Sequence, residues 1–107
     1  MGIFARKTNR KIDAHALAYA DDLFSYVQPD IAREHFLGGG KLSKKKAAKV
    51  KQKFIDIEQQ MKRFAESNEL GIYGRARLQK KFNERLEALG YDIELINTIT
   101  EKLLFQR

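Results

Sequence analysis

The chain has 107 residues, an apolar fraction of 43%, a charged fraction of 33%, a net charge of +7 and no cysteine. That length fits one domain, whose usual size is about 100–150 residues, and a disordered chain would be poorer in Leu, Ile, Val and Phe. The missing cysteines exclude a disulfide framework, a thiolate nucleophile and a Cys-based zinc site, and no apolar run approaches the roughly 18–20 residues that span a bilayer.

Strong helix formers fill most of the chain and Pro29 is its one proline, while no segment alternates apolar and polar residues as a strand would. The expectation is an all-α protein of four to five helices, an antiparallel helical bundle with one long coiled-coil-like helix. The N-terminal stretch MGIFARKTNRK is basic but is not followed by the apolar region of a signal peptide. Arg6 stands where an N-myristoylation signal has Ser or Thr. The cytoplasm is the expected location.

Residues 1–11 read as a basic flexible arm, and residues 12–107 as a single all-α domain. Asp13 reads as the N-cap of a first helix over about 13–28, with Leu17, Ala20, Phe24 and Val27 as its stripe and Ala16, Tyr19, Leu23 and Tyr26 widening it. Pro29 ends that helix and opens a short second one, apolar through Ile31, Phe36 and Leu37. Gly38, Gly39 and Gly40 stop it, the first as a left-handed C-terminal residue. The expected layout is an N-terminal lobe over 13–37, a glycine hinge over 38–42 and a helical core over 43–107.

Ser43 then caps the longest helix, over about 43–68. Ala47, Val50, Phe54, Ile57, Met61 and Phe64 are spaced 3, 4, 3, 4, 3, the seam of a coiled coil. Such a seam packs along a partner helix in the same chain or in a second copy. After a turn at 68–71, a helix over about 72–89 turns Ile72, Ala76, Leu78, Phe82, Leu86 and Leu89 inward and Gly90 closes it. Asp92 caps a last helix carrying Ile93, Ile96, Ile99, Leu103 and Leu104. The broad stripe of the first helix and the regular seam of the longest exceed one small core, which predicts a homodimer or a helical partner.

The charge is uneven. Residues 1–53 hold twelve Lys and Arg against five Asp and Glu, whereas 54–107 hold nine against nine. Seven lysines and no acid occupy 41–53: Lys41, Lys44, Lys45, Lys46, Lys49, Lys51 and Lys53. Cations in the first turns of a helix oppose its dipole, each costing about 0.3–1 kcal/mol at low salt. A sequence shaped by stability alone would place acids there. Mobile lysine charges suit phosphate backbones read without sequence preference; the plainer alternative is a solvated face.

A second basic group, Arg75, Arg77, Lys80, Lys81 and Arg85, shares the 72–89 helix with Tyr73 and Phe82. Arg77, Lys81 and Arg85 step by four along one ridge. Exposed aromatics beside cations stack on bases, although Phe82 fits the core better. Residues 82–103 have the apolar punctuation of a helix-turn-helix, but Leu86 is large for its turn, and Asp92, Glu94, Asn97 and Thr98 would face the groove. From Arg77 and Leu78 through Lys81 to Leu89-Gly90-Tyr91-Asp92 and Ile96, the chain resembles the basic helix-turn-helix units of the RecX family of recombinase modulators. The likeness covers about a quarter of the chain, lacks that family's tandem repetition and assigns no family.

Catalytic patterns are absent from the sequence. His15 and His35 fall on different helices without metal-ligand spacing. Asp21 and Asp22 are adjacent and diverge on a helix. In Gly38-Gly39-Gly40-Lys41-Leu42-Ser43, Leu42 separates the lysine from the serine that a phosphate loop would need. No enzyme activity, cofactor or metal is expected. The expected function is a nucleic-acid-associated accessory or regulatory protein binding phosphates through Lys44, Lys45, Lys46, Lys49, Lys51 and Lys53, beside Lys41, with Arg75, Arg77, Lys80 and Lys81 in support. The alternative is a helical protein-interaction module, an adaptor or inhibitor docking on an acidic protein.

Overall fold

Ile12, Ala16, Ala20, Leu23 and Val27 recur at intervals of four and three, and all are buried. They set the main seam of the fold. A computed structural model describes residues 2–38 and 41–102, with side chains over 7–38 and 41–101. The described residues form five α-helices: α1 (Gly2–Tyr26), α2 (Pro29–Phe36), α3 (Lys44–Ser67), α4 (Ile72–Ala88) and α5 (Ile93–Lys102).

α1 begins at Gly2, so residues 2–11 are its first turns and not a flexible arm. Neither a proline nor an internal glycine interrupts 3–11, and the buried row reaches back to Ile12, so nothing ends the helix at Asp13. Asp13 is an interior residue and not an N-cap. Of the expected stripe and its flanks, Ala16, Ala20, Leu23 and Val27 are buried, but Leu17 and Tyr26 are not. Leu17 is 46% exposed and Tyr26 73%, while Ala16 and Ala20 lie at the centre of the buried row. Two alanines there let a neighbouring backbone come close, and that neighbour is α4, the principal contact of α1.

Leu78, Phe82 and Leu86 of α4 are fully buried. Three ties fix the pairing: Arg77 to Asp13, Arg85 to Asp21, and the Tyr91 hydroxyl donating to the Val27 carbonyl, each joining residues 64 apart. A constant offset means that α1 and α4 run parallel in one register. Against α3 the numbers run oppositely, with His15 on Phe64, Tyr19 facing Gln60 and Asp22 bonded to Lys53. The bundle is therefore antiparallel about α3, as expected, while its most intimate pair is parallel. The N-terminal helix supplies the middle of the core and forms no separate lobe with α2. α2 packs on α5 and α3, with Phe36 edge-on to Phe54, ring centroids 4.8 Å apart.

The seam of α3 is buried as expected at Val50, Phe54, Ile57, Met61 and Phe64, while Ala47 is only half-buried. Its occupants are α1 and α2 of the same chain, so the seam no longer argues for a second copy. Leu95, Ile96 and Ile99 are the buried residues of α5; Ile93 is 55% exposed. Leu103 and Leu104 lie outside the described residues.

The expected caps and turns hold in part. The Ser43 hydroxyl accepts from the Lys46 amide at 3.1 Å, Pro29 opens α2, and the Asp92 carboxylate accepts from the Leu95 amide at 2.8 Å. Gly90, at φ +107°, ends α4. The Tyr91 amide returns to Leu86 O and the Gly90 amide to Glu87 O, both at 3.0 Å, the pattern of a Schellman turn. Gly38 is not left-handed; a Cβ there would lie 2.7 Å from the Glu34 carbonyl oxygen, so the position needs space. Gly39 and Gly40 lie outside the described residues, but beyond them the Lys41 amide donates to the Glu34 carboxylate at 3.1 Å. The molecule measures 50 × 23 × 21 Å.

Candidate functional site

The first fully buried residue of α3 is Val50. Because α3 runs antiparallel to α1, and Lys53 already meets Asp22 near the last turn of α1, residues 44–49 extend past the end of α1. Lys44, Lys45, Lys46 and Lys49 are exposed on that segment, with Lys41 exposed before it and Lys51 exposed one turn on. Among the described residues none of these six makes an ion pair. The first turn of α3 has no acid, so the positive end of the helix dipole adds to the lysine charge. Lys46 lies on the same side of the helix as the buried Phe64, yet it is exposed.

Lys53 does not belong with them. Its ammonium is 3.0 Å from Asp22 Oδ2 and 4.1 Å from the centroid of the Tyr26 ring, and its side chain is 16% exposed. It is the one lysine of the cluster that meets a carboxylate of α1, and it ties α3 to α1.

Most of the second basic group is likewise engaged within the protein. Arg77 clamps Asp13 with Nε and Nη2 at 2.8 and 2.9 Å. That ion pair holds the Asp13 carboxyl below its ordinary range, chiefly through the Arg77 hydrogen bond. Arg85 Nε donates to Asp21 at 2.8 Å, and Lys81 lies 3.6 Å from Glu84. The half-buried Arg75 donates to the Leu70 carbonyl at 3.2 Å. Only Lys80 is both exposed and without an ion pair among the described residues. The ridge that the sequence read as a phosphate-binding support faces α1, whose Asp13 and Asp21 match its spacing.

The two groups are also apart. Asp13, which holds Arg77, and Asp22, which holds Lys53, are separated by nine residues, about 14 Å of helix. The free lysines lie further still in the same direction. Tyr73 is 94% exposed, and Ile72, expected inward, is 89% exposed; Phe82 is core.

The would-be reading helix of a helix-turn-helix is engaged elsewhere. Arg33 of α2 pairs with Asp92 at the start of α5 and reaches Glu94 at 3.7 Å. His35 on α2 has its pKa lowered, first by burial and then by the charge of Lys51. At neutral pH it therefore adds no charge to the lysine face.

No group of three metal-ligating side chains occurs among the described residues, and no helix there is long and apolar enough to cross a membrane. No family model, curated protein or solved structure matches the chain. The short likeness to helix-turn-helix units carries no further argument.

Sequence reasoning missed a second cationic locus between α1 and α3. Lys7, Lys11 and Arg63 line it with His15 and Phe64. Reading residues 1–11 as an arm hid it, because the first turns of α1 had then no place beside the last turns of α3.

Proposed function

We propose that this protein is a non-enzymatic, nucleic-acid-associated accessory or regulatory protein whose phosphate-binding face is the projecting start of α3. The carrying observation is that Lys41, Lys44, Lys45, Lys46, Lys49 and Lys51 are exposed without an ion pair among the described residues, whereas neighbouring basic groups meet carboxylates. Clustered point charges on the non-core faces of a helix start, reinforced by its dipole, attract a polyanion without reading bases. Lys53, Arg75, Arg77 and Lys81 are outside the proposed face.

The test is fluorescence anisotropy with mixed-sequence DNA and RNA oligonucleotides across a salt series. If five lysines displace counterions from duplex DNA, log K falls against log salt with a slope of about −4.5, a loss of about 500-fold between 50 and 200 mM. Absence of binding at low salt with micromolar protein would overturn this reading.

A second reading, a protein-interaction module for an acidic partner, is favoured by the exposed Ile72 and Tyr73 at the opposite end of the bundle. Apolar contacts there would make binding to a partner far less salt-sensitive than the slope above. A homodimer through the same pair would show as twice the chain mass in light scattering.

A further inference from the structure

Two adjoining hollows of about 310 and 360 Å³ lie between the first half of α1 and the last turns of α3. They share Lys11, Phe64 and Asn68 and so form one groove.

The lining is chemically one-sided. Lys7 and Lys11 come from α1 and Arg63 from α3, and no carboxylate lines either hollow among the described residues. None of the three cations has an ion pair there, although the same α1 neutralises Arg77, Arg85 and Lys53 along its other edges. The floor is aromatic: His15 stacks on Phe64 with centroids 4.3 Å apart and planes 24° from parallel, and Tyr19 meets Phe64 edge-on at 6.4 Å. His15 Nδ1 lies 2.9 Å from the Lys11 carbonyl. A carbonyl only accepts, so Nδ1 donates there and the ring is held in place. Asn68 Nδ2 donates to the Phe64 carbonyl at 2.8 Å, which leaves its Oδ1 for another partner.

A solvated cationic face does not account for the fixed ring pair beside it. We propose that the groove binds a nucleoside phosphate, its base against the outer face of the His15 ring that covers Phe64 and its phosphate at Lys11, with Lys7 and Arg63 at the two ends of the groove. Cations recognise the phosphate, a flat aromatic floor the base, and the side-chain amide the sugar or base edge. The site is separate from the lysine face and does not depend on it.

The experiment is a titration of isotopically labelled protein followed by amide chemical shifts, with AMP, adenosine and inorganic phosphate as separate ligands. Saturable shifts at Lys11, His15, Phe64 and Asn68 are expected. AMP should bind about tenfold or more tightly than either half alone, since each half makes only part of the contacts. Lys11→Glu and Arg63→Glu, both on exposed side chains, should each weaken AMP by about tenfold with the spectrum otherwise unchanged. The triple change Lys45→Glu, Lys46→Glu and Lys49→Glu should leave AMP binding intact, which separates failure of this site from failure of the lysine face. A 5′-phosphorylated tetranucleotide that outcompetes AMP assigns the end of a strand as the natural ligand, and the reverse order assigns a free nucleotide; both support the site. Absence of saturable groove shifts at millimolar AMP, phosphate binding as tightly as AMP, or unchanged affinity in both single variants would overturn it.

Discussion

The α1–α4 interface and the start of α3 carry the same kind of residue with opposite outcomes. On α4, Arg77 and Arg85 face Asp13 and Asp21 across a parallel helix pair at a constant separation of 64 residues. In and around the first turns of α3, six exposed lysines make no side-chain ion pair among the described residues. Lys53 marks the boundary, since it is the lysine of that cluster that reaches an acid of α1. A cation's role in this fold is set by whether a neighbouring helix offers an acid at matching height, and composition does not carry that information. Cations in the first group are paired with acids of α1; those in the second make no ion pair among the described residues, and on that we rest the proposal of a polyanion partner.

The largest effect is expected in the apolar part of the first region. Phe82→Ala, at a fully buried position between the alanines of α1, should lower stability by about 3–5 kcal/mol in denaturant unfolding. A loss under 1 kcal/mol would mean that α4 does not pack on α1 as described. Oligonucleotide affinity per folded molecule should not change.

Breaking the ionic part has a smaller effect. Asp13→Arg and Arg77→Asp should each lower the melting temperature by less than Phe82→Ala, because the pair is half-exposed and screened. The double swap should recover most of the loss in thermal unfolding. Failure of the swap to recover anything would remove the pair as a register device. On the Asp13 side the sign is fixed by its lowered pKa: the contribution is present above the ordinary carboxylate range and is lost as pH falls through it.

The smallest effect concerns His35, which sits on α2 near Lys51. Its pKa is lowered in the folded protein by burial first and Lys51 second, so the unfolded chain binds a proton more readily. Stability should therefore be full above about pH 7 and decline as pH falls through the ordinary histidine range near 6.5. His35→Gln should flatten this decline in unfolding measured from pH 7.5 to 5. Lys51→Gln should reduce it less, matching the order of causes.

Much of α3 was legible in the sequence. Ser43 is a cap with a local signature, and Val50 to Phe64 repeat at an interval that only one helix face satisfies. Asp92 and Gly90 were legible for the same reason, since caps and turns depend on neighbours a few residues away. What the sequence hid is which helices pair. Nothing near Asp13 marks Arg77 as its partner 64 residues on, so Asp13 read as a cap and Arg77 as a free cation. The same blindness blurred the edges of the α1 stripe: Ala16, Ala20, Leu23 and Val27 are buried as expected, but Leu17 and Tyr26, more apolar to the eye, are exposed. At the candidate site, the exposed lysines were legible as charge, and the loss of Lys53 and Arg77 from the set was not.

The most direct test is the triple change Lys45→Glu, Lys46→Glu and Lys49→Glu, measured both for unfolding and for salt-dependent oligonucleotide binding. Acids in place of cations in the first turns of a helix favour its dipole, by about 0.3–1 kcal/mol each at low salt. Unfolding at low salt should therefore show a protein as stable as the wild type or more so, while oligonucleotide binding is lost. Retained binding, or a protein that unfolds more easily than the wild type, would contradict the conclusion that these lysines are held free for a polyanion.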